Sequence, residues 1–452
     1  MRIIITSLVL LFPLVLPARE EYKRDFQKTA ALPAGRTLRV EHSLGSINVR
    51  TQAKNEVAVQ AAIRCSADNM DSARRLCDQI QIRVEEGASG VTIRTEYPRN
   101  GNWPRNMSYS ANLEIQMPET APLELRNRFG NVTVQKLHAP ATINNGNGNV
   151  VLMQGSGRQR VENSFGNVEV VTNEGDVTVV NGNGWVRASD ISGAAEITNR
   201  FGEVRVTNVG KTLTVHGGNS KVEAEHLGGA TIVTTSFGDV RVWDAKGDLT
   251  VHNQNGKVEA NTVAGTADLQ TTFAAVKFTG IGRAVRVVAQ NSAVTGDTVG
   301  ETATVQTTFA NVDLRGVKGG ARVTAGNSGI RMAGIGGEVY AKTTFAGTVV
   351  EDAGGPVTVE SGNGSVSVTA KAGQACKPIA VQTTFAPIRV AVPAGVGYTV
   401  TGRTSFGRIQ SEQEMTVSGA IAGDSINGKI NGGGCEMRLT NQNGNIDIVK
   451  RP

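Results

Sequence analysis

Small aliphatic residues recur every 18 positions through most of the chain, and thirteen of the fourteen members of this series are aliphatic. The series is Val132, Val150, Val168, Val186, Val204, Val222, Val240, Val258, Val276, Val294, Val312, Ile330, Thr348 and Val366. A second small apolar position follows two residues after each member, and a third follows eleven residues after it. A spacing of two is typical of strands with one buried face. Each 18-residue unit therefore predicts short strands with an inward aliphatic face.

Two groups of turn residues punctuate each unit. One is a Gly six or seven residues after the aliphatic position, as at Gly157, Gly175 and Gly193. The other is a Gly/Asn segment just before that position, as at 146–149 and 181–184. Gly and Asn tolerate the positive φ of a tight corner. The pattern predicts strand, corner, strand, corner in every unit, and units of this kind stacked in parallel make a β-solenoid.

The position fifteen residues after the aliphatic one alternates strictly between Phe and Asn, which gives the chain a 36-residue superperiod. Its members are Asn147, Phe165, Asn183, Phe201, Asn219, Phe237, Asn255, Phe273, Asn291, Phe309, Asn327, Phe345 and Asn363. We expect a structural ladder at one corner, in which Phe rings are buried and Asn amides bond neighbouring backbone. One coil could consist of a single 18-residue unit or of a 36-residue pair. A 36-residue coil with such small inward residues would have to be strongly flattened, so we favour the single unit.

The predicted fold is all-β: a single-stranded parallel β-solenoid, or β-helix, with 18-residue coils, a 36-residue superperiod and a short helical insertion near the N-terminus. Parallel crossover connections favour the right hand, so we expect a right-handed coil. Apolar residues at helical spacing predict a helix near 68–80 that caps the stack, with Asp68 or Asp71 as its N-cap. The predicted regions are an N-terminal β region at 19–125 and a solenoid repeat domain at 126–450, irregular at 373–380 and 410–436.

Residues 1–18 have the pattern of a signal peptide. Arg2 precedes an apolar run from Ile3 to Leu16, and a small-residue cleavage site ends at Ala18. The run is shorter than the roughly 20 residues of a membrane-spanning helix, and we expect no transmembrane segment after cleavage. The sequence therefore predicts an exported protein that resides in the periplasm, on the cell surface or in the medium.

The chain has an even number of cysteines, which an oxidising compartment permits to pair; they are Cys65, Cys77, Cys376 and Cys435. Cys65 and Cys77 flank the predicted helix and can close a short loop, so we predict that disulfide. Cys376 and Cys435 both lie in irregular segments and are candidates for a second one. Counting coils places them about three coils apart. That separation exceeds the limit of about 7 Å between the Cα atoms of a disulfide unless the loops bulge toward each other.

The formal net charge is +6 over 452 residues, and Lys and Arg are interleaved with acids. A nucleic-acid-binding protein concentrates its basic residues in a patch, so we expect no nucleic-acid partner. We interpret the histidines as surface polar residues that hold no metal; they are His42, His138, His216, His226 and His252. His216 and His252 share a position in the repeat, but no further metal ligands accompany them. The acids are scattered, without the clusters of a polysaccharide lyase or a calcium β-roll. We expect no catalytic residues, no metal and no cofactor.

Two segments and the repeated corner together resemble a known family. The segments are TLRVEHSLGSINVR (37–50) and MPETAPLELRNRFGNVTV (117–134), and the corner is Gly-[Asn/Asp/Glu]-Val. They are similar to the bacterial family of putative adhesins catalogued as domain of unknown function 4097, over nearly all of residues 36–450. The resemblance implies an exported β-solenoid with no established catalytic residues and no site to carry over. The Phe/Asn alternation departs from the family pattern, in which Ser or Thr is expected at the corner.

These observations predict an exported, non-catalytic solenoid that acts as an adhesin or binds a surface or matrix. Envelope polysaccharide, extracellular polysaccharide and cell surfaces are the expected partners, because rows of polar side chains suit many weak contacts. The alternative is an envelope scaffold or stress-response accessory without a ligand of its own. A polysaccharide-active β-helix enzyme is the weakest of the three interpretations. Thr-Thr-Phe runs, as at 271–273, do not predict ice binding, because the intervening coils carry Gln or Gly in place of Thr.

Overall fold

The structure, a computed structural model, describes residues 19–98, 107–418 and 423–451. The predicted signal peptide at 1–18 lies outside the described residues. The chain forms an all-β parallel solenoid with one short helix, which confirms the predicted fold class. The hand of the coil stays a prediction. The chain divides into two compact units between Asn149 and Val150, called unit 1 and unit 2 here. Across the described ranges, no helix is long and apolar enough to cross a membrane.

Unit 1 contains the one helix and the first ten strands of the described chain. Its elements are β1 (Glu20–Ala31), β2 (Thr37–Glu41), β3 (Ile47–Gln52), β4 (Glu56–Ala67), α1 (Met70–Gln79), β5 (Gln81–Gly87), β6 (Gly90–Glu96), β7 (Ser108–Pro118), β8 (Leu123–Phe129), β9 (Val132–Gln135) and β10 (Ala141–Asn147).

Parallel and antiparallel strands are segregated within unit 1. In one sheet, β3 lies between the parallel strands β7 and β9, with Ile47 opposite Leu113 and Val132. β4 pairs antiparallel with β7, and β1 pairs antiparallel with β4. In the other sheet, β2 lies between the parallel strands β6 and β8, and β8 pairs with β10. β5 pairs antiparallel with β6. Each sheet of unit 1 therefore ends in antiparallel strands, at β1 and at β5.

Helix α1 connects β4 to β5 and packs against β1 and β4. Its N-cap is Asn69, whose side-chain oxygen accepts a 2.8 Å hydrogen bond from the Ser72 N–H. The prediction of Asp68 or Asp71 as N-cap was wrong, since the helix begins at Met70 and the extended residue immediately before it is Asn69. The buried face of the helix consists of Ala73, Leu76 and Cys77.

Unit 2 contains the remaining strands. They are β11 (Val150–Ser156), β12 (Gln159–Phe165), β13 (Val168–Glu174), β14 (Val177–Asn183), β15 (Val186–Ile191), β16 (Ala195–Phe201), β17 (Val204–Val209), β18 (Leu213–Asn219), β19 (Val222–Leu227), β20 (Thr231–Phe237), β21 (Val240–Ala245), β22 (Leu249–Asn255), β23 (Val258–Val263), β24 (Ala267–Phe273), β25 (Val276–Ile281), β26 (Val285–Asn291), β27 (Val294–Val299), β28 (Ala303–Thr307), β29 (Val312–Val317), β30 (Ala321–Ala325), β31 (Ile330–Ala333), β32 (Val339–Thr343), β33 (Thr348–Ala353), β34 (Val357–Ser361), β35 (Val366–Ala370), β36 (Ile379–Gln382), β37 (Ile388–Val392), β38 (Tyr398–Arg403), β39 (Ile409–Ser411), β40 (Met415–Val417), β41 (Ser425–Ile430), β42 (Cys435–Thr440) and β43 (Ile446–Lys450).

One coil of unit 2 contains one strand from each of two parallel sheets. The odd-numbered strands from β11 to β37 form the first sheet, and the even-numbered strands from β12 to β36 form the second. Val150 lies opposite Val168 in the first sheet, and Val177 lies opposite Ala195 in the second. Both pairings join equivalent positions of consecutive repeat units, so one coil consists of a single unit and not of a pair. The predicted aliphatic series forms the core, because its members from Val150 to Val366 are at most 2% exposed.

The corner that follows the first-sheet strand differs from the prediction. Its left-handed residue lies four positions after the aliphatic one and is mostly not Gly. The non-Gly residues with positive φ there are Gln154, Thr172, Asp190, Asn208, His226, Asp244, Thr262, Thr298 and Asp352. Of the glycines predicted at this corner, only Gly157 and Gly175 have positive φ. Other glycines at this corner are required because a side chain would not fit. A Cβ on Gly228, for example, would lie 2.4 Å from the carbonyl oxygen of Gly210 in the coil below.

The last coil of the chain is inserted between two earlier coils. β42 pairs with both β36 and β38, so that Met437 lies opposite Ile379 and Val400. β43 pairs in the same way with β37 and β39, so that Ile446 lies opposite Ile388 and Ile409. β41 then pairs antiparallel with β38, and β40 with β41. The segment predicted to be irregular, 410–436, therefore includes the antiparallel strands β40 and β41, and the strands β42 and β43 that follow pair between two earlier coils.

Candidate binding surface

The Phe/Asn positions of unit 2 lie in one row along a corner of the coils, which we call the corner row. Phe165 lies opposite Asn183, and Asn183 lies opposite Phe201. The same pairing continues to Phe273 and Asn291. Adjacent coils are about 4.8 Å apart, so successive phenylalanines of the row lie about 9–10 Å apart. Asn147, the first predicted member, belongs to unit 1, where it lies opposite Phe129.

The phenylalanines of the corner row are exposed, and the prediction that they are buried was wrong. From Phe165 to Phe345 they are 42–60% exposed. The inward and outward alternation of the strand stops just before the corner: Asn163 is buried, whereas Ser164 and Phe165 both face solvent. The next residue, Gly166, has a φ of 128°, which turns the chain into the corner. The row therefore presents aromatic side chains to solvent.

A column of buried, mostly polar residues lies two residues before the corner row, and Gly217, Ala289 and Ala325 interrupt it. Asn163 Nδ2 donates to Asn181 Oδ1, and Asn181 Nδ2 donates to Asn199 Oδ1, both at 3.1 Å. The same Asn181 amide donates to the carbonyl of the corner residue Gly184 at 3.3 Å. In later coils Thr takes this role, as where Thr343 Oγ1 donates to the Ser328 carbonyl at 2.8 Å. The buried amide ladder thus lies beside the row predicted to form it. The sequence signal for the ladder was a polar residue at the same inward position of most units.

The alternation of Phe and Asn continues through the inserted coil. In chain order, the corner residues after Asn363 are Phe385, Phe406 and Asn443, which breaks the alternation. In space, the Asn443 N–H bonds the carbonyl of Thr384, next to Phe385, at 2.9 Å. Asn443 also bridges to Phe406 on its other side. The spatial order is therefore Phe385, Asn443, Phe406, so the corner row keeps its alternation to the end.

The corner row is flanked by uncharged residues from Thr272 to Ser365. The residues that precede the row members in this stretch are Thr272, Gln290, Thr308, Gly326, Thr344 and Gly362. Those on the other side, two positions after the members, are Ala275, Ala293, Asn311, Gly329, Gly347 and Ser365. We call this part of the corner row and its flanks the neutral stretch.

Charged side chains on the preceding coils pair with one another. Lys221 Nζ lies 2.6 Å from Glu223 Oε1 and 3.6 Å from Glu203 Oε1. Glu223 also bonds Arg205. Hydrogen bonds from Lys221 and Arg205 hold the pKa of the Glu223 carboxyl below its usual range. These charges neutralise each other, so this part of the surface also lacks a patch of one sign.

The histidines do not form a metal site. His216 and His252 are exposed and lie two coils apart, because Thr234 pairs with both. No group of three or more His, Cys, Asp or Glu side chains in the described ranges could hold a metal ion. His42 is not the predicted surface residue, since it is 5% exposed. Its Nδ1 lies 3.0 Å from Thr95 Oγ1, and burial lowers the pKa of its imidazole to about 4.

Both candidate cysteine pairs form disulfides. Cys65 of β4 bonds Cys77 of α1, and Cys376 bonds Cys435, each with a Cα–Cα distance of 5.7 Å. The estimate that Cys376 and Cys435 lie three coils apart was wrong. Because β42 is inserted next to β36, Cys435 at the start of β42 lies beside the loop that precedes β36.

A small cavity lies next to the second disulfide, in the irregular region where an active site would break the repeat. Its lining includes Cys376, Ile379 and Tyr398. Burial raises the pKa of the Tyr398 hydroxyl. The other titratable groups of the lining are Lys371 and Lys377, and no Asp, Glu or His is among the described residues that line the cavity. The lining therefore has no carboxylate or imidazole to act as general acid or base.

Three solved structures are similar to this chain at low identity. A putative cell adhesion protein from Clostridium sporogenes is 8% identical, with a TM-score of 0.17 over 95% of this chain and 100% of its own. A putative adhesin from Parabacteroides distasonis is 13% identical, with a TM-score of 0.20 over 67% and 96%. A putative adhesin from Bacteroides fragilis is 11% identical, with a TM-score of 0.20 over 68% and 98%. TM-scores this low carry no argument about function.

No family model and no curated protein match the chain. Membership of the family of domain of unknown function 4097 therefore stays a prediction. What the structure defines is the class: a parallel β-solenoid with an exposed aromatic row and two disulfides.

Proposed function

We propose that this protein is an exported, non-catalytic binding protein of the adhesin type, which contacts an envelope or extracellular polymer through repeated surface groups. The observation that carries the proposal is the corner row. In the described part of unit 2, eight phenylalanines of this row are each 42–76% exposed.

An exposed row of aromatic rings supports a contact surface rather than a packing role. A phenylalanine left in water forgoes much of the roughly 1.5–3 kcal/mol that full burial would contribute. Single exposed apolar side chains are ordinary, whereas contiguous apolar surface marks interaction sites. The ring recurs at the same corner in every second coil, so the feature belongs to the whole length of the row.

Repetition supports a polymer as the ligand. Once one group of the row is engaged, contacts at the following groups become intramolecular, and many weak contacts add up to strong binding. A small molecule could occupy only one or two positions of the row. A polymer with a repeat of its own could occupy many.

The composition of the row supports binding without chemistry. Catalysis requires a few unlike groups that converge at one place, whereas the row offers the same two side chains again and again. The scaffold alternative gives no reason for exposed rings, so the row favours a protein with its own ligand.

Export is part of the proposal. Disulfides form and persist mainly in oxidising compartments, and Cys65–Cys77 and Cys376–Cys435 are both bonded. The apolar run at residues 3–16 predicts a signal peptide. Both observations agree with a periplasmic, surface or secreted location.

The proposal is tested by co-sedimentation of the purified, oxidised chain with peptidoglycan, cellulose, chitin, starch and whole bacterial cells. We expect saturable binding to at least one of them, with an unrelated monomeric protein of similar charge as the control. Absence of binding to all of them would support the scaffold alternative. A hydrolase or lyase activity that one substitution in residues 370–436 abolishes would contradict the non-catalytic part.

A further inference from the structure

We propose that the corner row is a binding track for a neutral, linear polysaccharide of β-1,4-linked pyranose units, with one disaccharide for every two coils. This inference rests on the proposed function and names the class of ligand and the residues that hold it.

The spacing of the row carries the first step. Phe273, Phe309 and Phe345 lie two coils apart in succession, so their backbone positions recur about every 9–10 Å. An extended β-1,4-linked chain has a disaccharide repeat of closely similar length, because each sugar is turned over relative to the one before it. Every second sugar therefore has the same orientation. A ring on every second coil would meet the same face of an equivalent sugar each time.

The chemistry of the rings carries the second step. The face of an aromatic ring is electron-rich and attracts groups with partial positive charge. The equatorial substituents of a β-1,4-linked pyranose leave its faces covered with such C–H groups. Since 52% of Phe273, 53% of Phe309 and 60% of Phe345 is exposed, about half or more of each side chain is open to contact with a sugar.

The coils between the phenylalanines supply hydrogen-bonding groups. Asn291 and Asn327 are exposed members of the row, and the exposed Gln290 and Thr308 precede Asn291 and Phe309. A side-chain amide can donate and accept at once, which suits the hydroxyl groups of a sugar. The sugars between two stacked ones would therefore meet Asn at each step. One sugar would stack and the next would be hydrogen-bonded, in the alternation that the row already has.

From Thr272 to Ser365 the electrostatics of the row favour a neutral polymer, whereas both signs of charge, as at Arg200, Glu203 and Lys221, flank its earlier part. The neutral stretch carries uncharged residues on both flanks of the row from Thr272 to Ser365. A nucleic acid or an anionic lipid surface would require clustered Lys and Arg instead. The uncharged flanks of the neutral stretch complement an uncharged chain and provide no cation for a polyanion there.

The inserted coil supports the row as a spatial feature. Chain order would place Phe385 and Phe406 on neighbouring coils, but Asn443 lies between them. The phenylalanines therefore stay two coils apart in space, although the order of residues along the chain no longer alternates. A function that depends on the distance between the rings accounts for this, because that distance depends on how the coils stack and not on chain order.

The test is binding of the full, oxidised chain to β-1,4-linked glucose and N-acetylglucosamine oligosaccharides of two to eight units, measured by calorimetry. Alpha-1,4-linked glucose oligosaccharides of equal length are the ligand control. In each of three variants, all eight phenylalanines of the row are replaced by one residue type, which is Ala, Leu or Tyr. The replaced residues are Phe165, Phe201, Phe237, Phe273, Phe309, Phe345, Phe385 and Phe406. Ile232→Ala removes another exposed apolar side chain, 44% exposed, outside the row. If the Ala variant does not fold, as judged by thermal unfolding, a variant with only the three substitutions Phe201→Ala, Phe273→Ala and Phe345→Ala takes its place.

We expect affinity to rise with each added disaccharide of the β-linked series and the α-linked series to bind far more weakly. Each lost stacking contact should weaken binding about two- to tenfold. A hexasaccharide spans three rings, so the Ala variant should lose at least about tenfold, from three such contacts together. The Leu variant should lose nearly as much, because it keeps apolar surface without a ring face. The Tyr variant and Ile232→Ala should bind as the unmodified chain does.

The outcomes separate this inference from the proposed function. If the Ala or the Leu variant binds β-linked oligosaccharides as the unmodified chain does, the track is refuted while a polymer-binding function stands. Equal binding of the α-linked series refutes the spacing argument. If the chain self-associates and the Ala variant abolishes this without any effect on glycans, the row is an interface between copies. If nothing binds here or in the co-sedimentation assay, both proposals fail.

Discussion

Acidification is expected to destabilise unit 1 because the buried His42 stays neutral in the folded chain. The side chain is 5% exposed, and burial lowers the pKa of its imidazole from 6.5 to about 4. Thr95 and Tyr97, the side chains closest to its Nδ1, are uncharged near neutral pH. The Tyr109 ring packs against Tyr97. Among the described residues, His42 therefore has no hydrogen bond to a carboxylate that would stabilise the imidazolium.

The sign and the size follow from the two pKa values. In the unfolded chain the imidazole takes up a proton near pH 6.5, and in the folded chain only near pH 4. Between these values the unfolded state binds more protons, so the free energy of unfolding falls as the pH is lowered. The contribution is fully present above pH 6.5 and is lost progressively down to pH 4. Its total size is about 3 kcal/mol, of which about 2 kcal/mol is lost by pH 5.

Hydrogen exchange measured by mass spectrometry at pH 7 and pH 5, corrected for the intrinsic exchange rate, would resolve the effect by region. Peptides from β2, β3 and β7 should lose protection at pH 5, while peptides from the middle of unit 2 should not. His42→Gln keeps a neutral polar side chain and should remove the difference between the two pH values. The reasoning is refuted if His42→Gln loses protection on acidification as much as the unmodified chain does.

Three further substitutions test the packing of unit 2. Gly228→Ala should destabilise the chain by about 1–3 kcal/mol in thermal unfolding, because its Cβ would overlap the coil below; Gly423→Ala, with open space around it, should have little effect. Asn181→Ala breaks the buried amide ladder and should lower the free energy of unfolding by about 1–3 kcal/mol. Asn183→Ala, two residues later in the corner row, should lower it by less than about 0.5 kcal/mol. Equal losses of stability would contradict the assignment of the ladder to Asn181. Cys376→Ser should lower stability by about 2–5 kcal/mol and make β42 exchange faster. Reductant added to the unmodified chain should also make β42 exchange faster and should lower stability at least as much, because it also breaks Cys65–Cys77.

The periodic part of the fold could be predicted from residue spacing because each inward position is read from local alternation. Val150 and its equivalents in the following units are buried, and adjacent strands pair at the offset of the repeat. Side chains alternate strictly along a strand, so an aliphatic residue at every second position identifies the buried face. The length of the repeat then fixes which strands lie side by side. The helix between β4 and β5 was equally visible, because three of its apolar residues share one face.

Whether a side chain at a corner faces the core or the solvent could not be predicted from this alternation. At a corner the chain leaves strand geometry, so alternation no longer tells inside from outside. Phe165 was predicted to be buried and is 56% exposed, while Asn163 holds the buried place. Gly228 illustrates the same limit, since it is required by the distance to the coil below and not by its own φ. Both facts depend on contacts between coils.

The sequence by itself determined the strands, the 18-residue coil, the helix and the pairing of Cys65 with Cys77, since each depends on local spacing. Only the tertiary structure decided that β42 and β43 lie between earlier coils, which brings Cys435 to Cys376 and Asn443 between Phe385 and Phe406. The physical reason is that parallel strands of the same repeat pair almost equally well with one another. The order in which they stack depends on which earlier strands β42 and β43 pair with, and no local pattern encodes that choice.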